Sequence, residues 1–299
     1  MRTVEAPARN STADLVLLLT LSALWGASYT FIRVGVATIP PLTLIAARTL
    51  IAGSLLVAWM AMRGISIPRE PALWWRFLIQ ALLNSVVPFT LIAWAERSVE
   101  AGLATILNST SPVLAFLATW LITRHEQITP RKLFGVTTGL AGTCLIVGTS
   151  VFSGLGSEVI PQLAIVAATA CYAGAAIYGR TFQGLPPVIP AAGSLLLGAI
   201  IIVPASLIVD RPWTLHPSTS SVAALLALSV FSTALAFVIY FRLVQSLGSV
   251  GTTAQAYLRV PIGVALGMIF LGESLTPTAW VGFACVFAGV VAMTIPHYG

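Results

Sequence analysis

The chain has 299 residues, 58% of them hydrophobic and 8% charged, with a mean hydropathy of +0.96, where a soluble domain carries about 25% charged residues. Such a composition excludes a soluble globular protein, and the continuity of the apolar runs excludes a disordered or low-complexity chain. The net charge of +6 is scattered between those runs and forms no basic stripe, which argues against nucleic-acid binding and for charge that sets membrane topology.

At roughly 21 residues per crossing, ten helical spans take about 210 residues and leave about 90 for ends and connections. The first is expected at 13–33, behind Arg2 and Arg9; its apolar core is too long for a cleaved signal peptide, so it reads as a retained span. Pro40 and Pro41 precede the second, 42–62, and the charged run Arg63 to Arg76 leads to the third, 73–95. The fourth is read at 101–122, and Arg124 to Lys132 introduce the fifth, 130–150. Beyond the Gly and Ser run Ser153 to Ser157 come 159–179, then 188–209 after Pro186 and Pro187, then 220–245 after Asp210 to Pro217. The spans 250–271 and 277–295 complete the set. Lipid offers the backbone no hydrogen-bond partner, and the strand-like alternation of a membrane barrel is absent, so the spans are helices.

With a cytoplasmic N-terminus, ten of the cations in loops and toward span ends fall on the cytoplasmic side and three, Arg33, Arg97 and Arg211, on the other. That asymmetry predicts a multi-pass protein with both termini cytoplasmic.

Sliding the chain against itself reveals a duplication at an offset of 147 residues. Glu126, Thr129, Pro130, Gly135, Ala141 and Gly142 match Glu273, Thr276, Pro277, Gly282, Ala288 and Gly289. Pro40-Pro41 pairs with Pro186-Pro187 one residue short of that offset, and Pro112 with Pro261 two beyond it. The halves are therefore read as 1–150 and 151–299, with five spans each. Five is odd, so the second copy enters the membrane from the opposite side: an all-α membrane protein of ten transmembrane helices in two inverted five-helix repeats. Inverted repeats supply the exchange of two related conformations that alternating access requires, with substrate held near the midplane.

Two five-span halves, each ending in Glu-x-x-Thr-Pro before a Gly-rich last span, with Trp25-Gly26-Ala27-Ser28 in the first span, resemble the drug/metabolite transporter superfamily. Within it the chain is similar to the EamA-type ten-helix members, most of all the YddG-type exporters of aromatic and other amino acids. The resemblance implies a bacterial inner-membrane location and a cavity lined by the first, third, fourth, sixth, eighth and ninth spans. It assigns the fifth and tenth spans to scaffold.

Charged groups inside a bilayer are costly and usually functional. Asp and Glu fall at predicted ends or in loops; Arg48 and Arg259 lie well inside spans. Arg259 has Gln255 and Thr252 one and two turns before it on the same face. Its guanidinium either holds a substrate carboxylate by paired hydrogen bonds or pairs structurally, with carbonyls exposed by Pro261 or with Glu96. Arg48 reads as structural, snorkelling or tied to a loop. The third span carries Gln80 and Asn84 at one-turn spacing, then Pro88 and Trp94, and Asn84 is read as a cavity residue with interhelical bonding as the alternative. Thr105, Asn108 and Ser111 form the matching polar face of the fourth span. Trp25, Tyr29, Tyr172, the repeat partner of Trp25, and Tyr257 supply rings that either stack on substrate or pack helices.

The expected substrate-binding set is thus Arg259, Gln255, Asn84, Asn108, Tyr29, Trp25, Trp94, Tyr172 and Tyr257. No cofactor or metal is expected: Cys144, Cys171 and Cys285 lie apart within apolar runs, and no ATP-binding loop occurs. His125, His216 and His297 sit in loops or at the end, which disfavours an intramembrane enzyme. The reading is a non-enzymatic exporter of amino acids or related small metabolites, whose partners are the bilayer and a small-molecule substrate. A drug or other-metabolite carrier of the same fold is the alternative.

Overall fold

A computed structural model describes residues 11–95, 98–99, 107–123, 129–147, 159–262 and 277–294, and among these every regular element is helical. Helix α1 is Ser11–Gly35 and α2 is Pro41–Met62. Pro40 is extended and Pro41 takes the first helical turn, where its missing N–H costs nothing. The end of α2 reverses through Gly64 at φ 67°, a conformation natural to glycine. There the Gly64 N–H reaches Ala61 O and the Ile65 N–H reaches Met60 O, which satisfies carbonyls the helix end leaves open.

Helix α3, Pro71–Ala95, contains a π-helical segment at Leu82–Val86. Helix α4 is Ser111–Ala118, followed by a second π segment at Thr119–Thr123. Helix α5 is Pro130–Val147, and Thr129 Oγ1 accepts from Lys132 N at 3.3 Å, a cap on the first Thr-Pro turn. Its counterpart Thr276 lies outside the described residues, as do 96–97, 100–106 and 263–276. Helix α6 is Val159–Gly179, with a tight 3-10 turn at Arg180–Phe182, and α7 is Val188–Val209. Helix α8, Thr219–Thr253, holds a third π segment at Val230–Leu235 and breaks at Gly248, φ 75°. After a turn at Ala254, α9 runs over 255–262, and α10 is Pro277–Thr294. The expected gap between the eighth and ninth spans is thus a single glycine break rather than a loop.

Helices α5 and α10 pack through glycine. A Cβ on Gly142 would stand 2.6 Å from the Gly282 carbonyl oxygen, and one on Gly135 would stand 2.7 Å from that of Gly289. Gly135 is the repeat partner of Gly282, and Gly142 of Gly289. Each contact therefore maps onto the other when the halves are exchanged, and the pairing runs antiparallel, as an inverted two-fold demands. Small residues permit this approach in lipid, where helix association depends on close packing. The other contacts repeat the symmetry: α2 packs on α7, α1 on α8, and α3 on α6.

Candidate functional site

Between the halves lies a cavity that opens at a mouth. Trp25, Ser28 and Ile32 of α1, Leu44, Ile45 and Arg48 of α2, and Asn84, Phe89, Ile92 and Ala93 of α3 line it. Asn108, just before α4, Tyr172 of α6, Leu228 and Phe237 of α8, and Arg259 of α9 complete the wall. Among the described residues the fifth and tenth helices contribute nothing to it, and α2, which the sequence did not assign to the cavity, contributes three residues.

Four rings cross the cavity in a row. Trp25 meets Phe237, Phe237 meets Phe89, and Phe89 meets Tyr172, each with centroids 6.5 Å apart. Trp25 and Tyr172 are repeat partners, and Phe89 and Phe237 are equivalent at an offset one residue longer. The row therefore maps onto itself when the halves exchange, so its centre marks the pseudo-two-fold.

The two π segments beside this row are equivalent as well, Leu82–Val86 in α3 and Val230–Leu235 in α8. In α3 the cause is local. Pro88 has no N–H and its ring would crowd the Asn84 carbonyl, and the wider turn, with Val87 N–H bonded to Leu82 O, relieves this. No proline follows in α8, where polar groups hold the turn. Thr233 Oγ1 donates to Leu228 O at 2.8 Å and accepts from Arg48 Nε. The Ser232 carbonyl accepts from Trp25 Nε1 at 3.1 Å and Arg48 Nη2 at 3.3 Å, while Ser232 Oγ donates to Leu24 O at 2.7 Å. The turn thus links α1, α2 and α8 in one network.

Charge breaks the symmetry. Arg48 lies with its guanidinium 4.0 Å over Phe89, and Arg259 lies 5.0 Å over Trp25, a favourable stacking of cation on ring face. The repeat partner of Arg48 is Leu195, and that of Arg259, by the Pro112–Pro261 register, is Thr110. Arg259 Nε donates to Gln255 Oε1 at 2.7 Å, one turn back on α9. Asn84 is 2% exposed, and its Nδ2 has no hydrogen-bond partner among the described residues.

Of the nine expected site residues, Trp25, Asn84, Asn108, Tyr172 and Arg259 come together on the cavity wall. Gln255 stands behind Arg259 and orients it. The Tyr29 side chain lies outside the described residues. Two expectations are corrected. Trp94 is 46% exposed and is not among the residues of the cavity wall. Tyr257 is fully buried against Gly139, with its hydroxyl donating to Val136 O at 2.8 Å, so it fastens α9 to α5. Arg48, read as structural, does make structural bonds and also lines the cavity; its position inside a span was the available signal.

Toward the α6–α7 end the space is filled. Trp74, Phe77, Phe182, Phe241 and Tyr240 form a chain of rings 5.2–5.9 Å apart, and Arg76 covers Phe182 at 5.3 Å. Gln245 Nε2 ties this end by donating to Phe182 O and Leu185 O at 3.3 and 3.0 Å. The cavity accordingly runs toward the α1–α2 end and is blocked at the other. At the α1–α2 end the halves are joined by Asp210, whose Oδ2 accepts from Thr43 N and Thr43 Oγ1, both at 2.8 Å.

Comparison with known proteins agrees with this architecture. A solved crystal structure matches with a TM-score of 0.77 at 19% identity, covering 94% of this chain and 97% of its own, a likeness of fold. The Escherichia coli (strain K12) inner membrane transporter YedA is 29% identical over 283 residues, 94% of this chain and 90% of its own. A transporter from Archaeoglobus fulgidus is 30% identical over 295 residues, 97% and 99% of the two chains. Bacillus subtilis YvbV, also named a transporter, is 27% identical over 280 residues, 93% and 90%. The EamA-like transporter family matches twice, at 13–148 and at 159–295, one match on each half of the duplication. With that double match, ten-helix architecture and a cavity between inverted halves, this chain is a membrane transporter that belongs to the EamA-like transporter family.

Proposed function

We propose that the protein exports amino acids, aromatic and others including Met and Thr, or related small amphipathic metabolites, from the cytoplasm by alternating access. The observation that carries this reading is the cavity itself: walled by both halves, with arginines over a row of aromatic rings, and blocked at one end by packed rings. The halves 1–150 and 151–299 are the units that rock, and the aromatic row on their pseudo-two-fold is the pivot. The cation count supports cytoplasmic termini in a bacterial inner membrane, which makes the blocked end cytoplasmic and the cavity outward-facing. No carboxylate lines the cavity among the described residues. The reading is transport down the substrate gradient without ATP or a proton, since proton coupling through the site would need a group that titrates there.

The apolar share of the wall, from Ile32, Leu44, Ile45, Ile92 and Leu228, favours as a second reading a drug or other-metabolite carrier of the same fold. Counterflow of labelled amino acids into liposomes holding the purified protein tests the first. Saturable exchange of aromatic, Met or Thr substrates, unaffected by an imposed pH gradient, is the expected result. Uptake that follows the proton gradient overturns the passive mechanism, and exchange confined to other cargo moves the assignment to the second reading.

A further inference from the structure

Arg48 is 3% exposed in the interior of a lipid-embedded protein. A guanidinium keeps its charge under any ordinary condition, and a buried charge is stable only when it is paired or well solvated. The partners of Arg48 among the described residues are neutral: the Thr233 hydroxyl, the Ser232 carbonyl and the face of Phe89. These bonds use Nε and Nη2 and leave the N–H groups of Nη1 without a described partner, while the side chain lines the cavity. On the same wall the buried Nδ2 of Asn84 has no hydrogen-bond partner among the described residues.

We propose that Arg48 and Asn84 form an anion subsite that takes the carboxylate of the transported molecule, so that of molecules with one apolar or aromatic body the net organic anion is preferred. This rests on the cavity being the substrate site. A carboxylate there completes the Arg48 fork, accepts from Asn84, and neutralises the buried cation by charge-assisted hydrogen bonds. Its body lies against Phe89, Phe237 and the aliphatic residues toward the α1–α2 end. An ammonium group finds arginine and amide on the same wall, with no carboxylate among the described lining residues to receive it. For one carbon skeleton the order of preference is therefore anion, then zwitterion, then cation. The bonds from Arg48 to Ser232 and Thr233 give substrate charge a direct connection to the π turn of α8, so neutralising Arg48 acts on the contact between α1, α2 and α8.

The test uses 3-phenylpropionate, phenylalanine and 3-phenylpropylamine, which share a phenylpropyl body and differ in charge, with binding to purified protein by calorimetry and counterflow in liposomes. The expected result is binding of the propionate roughly tenfold tighter than phenylalanine, on the scale of one extra charge-assisted interaction, and no saturable binding of the amine. Asn84→Asp, which keeps the shape and places a carboxylate on the wall, abolishes the preference for the propionate; Arg48→Lys retains part of it and Arg48→Met loses it. Should Arg48→Met fail to fold, the wild-type ranking and Asn84→Asp still decide. Equal binding of amine and propionate, with counterflow intact, overturns the anion subsite and leaves the transporter reading standing. Absence of binding by all three to folded protein overturns the subsite, and absence of counterflow across the whole amino-acid panel removes the substrate reading beneath it.

Discussion

The two arginines of the cavity wall are held in different ways. Arg48 is anchored across helices, to Ser232 and Thr233 of α8. Arg259 has an anchor on its own helix, Gln255, and spreads over Trp25. Gln255→Leu removes an acceptor from a charged donor, an interaction of about 1.5–3 kcal/mol. The expected outcome is a rise of roughly tenfold or more in KM for counterflow with little change in thermal stability; an unchanged KM would show that Gln255 does not position Arg259. Arg259→Ala is expected to weaken exchange of carboxylate-bearing substrates more than that of neutral amide analogues, and equal loss for both would assign Arg259 to packing. The spacing of Gln255 and Arg259 was legible in the sequence because both lie on one helix, one turn apart. The bonds of Arg48 were not, because Thr233 is 185 residues away and the π turn that presents it leaves no proline or other sequence mark in α8.

At the scale of elements, glycine and proline carry the architecture by opposite means. Along α5 and α10 the absence of side chains at Gly135, Gly142, Gly282 and Gly289 lets two backbones touch. Gly142→Leu forces them apart and is expected to lower stability by about 1–3 kcal/mol, the usual range for overpacking, seen as an earlier thermal unfolding transition of the purified protein. Preserved stability would mean that the helices have another way to pack. In α3, Pro88 excludes a regular hydrogen-bond ladder and so sets the π segment that carries Asn84. Pro88→Ala permits a regular helix, which turns Asn84 by up to about one residue's rotation relative to the helix beyond it. Reduced exchange by a protein of unchanged or higher stability is the expected result, and wild-type exchange would show that the π segment persists without the proline. The limits of α2, α6, α7 and α10 fall within one or two residues of those read from the sequence, since apolar length and terminal prolines act locally.

At the scale of the whole molecule, a symmetric frame encloses an asymmetric space. The glycine contacts, the aromatic row and the paired π segments all repeat under exchange of the halves, while the cavity opens toward the α1–α2 end and rings fill the other. Alternating access exchanges these two ends. With the three native cysteines replaced by alanine, Ile32→Cys is expected to react with a membrane-impermeant maleimide from the non-cytoplasmic side, and saturating substrate to slow that reaction several-fold. Phe182→Cys, fully buried in the ring cluster, is expected to react only in a conformation open to the cytoplasm. Labelling of Ile32→Cys exclusively from the cytoplasmic side would reverse the assigned orientation.

Hydropathy, the prolines and the 147-residue duplication were enough by themselves to set out ten helices in two inverted halves; the family resemblance supplied the expectation of a cavity, and the structure places Trp25, Asn84, Asn108, Tyr172 and Arg259 on its wall. Apolar length and internal repetition are properties of the chain read in order, and the repeat carries a residue chosen in one half to its counterpart in the other. Which end of the cavity is blocked, the place of α2 in its wall, the burial of Tyr257 against α5 and the neutral surroundings of Arg48 were decided by tertiary structure. Each depends on which side chains from distant spans meet across the pseudo-two-fold, and that is set by packing between helices rather than by the period along any one of them.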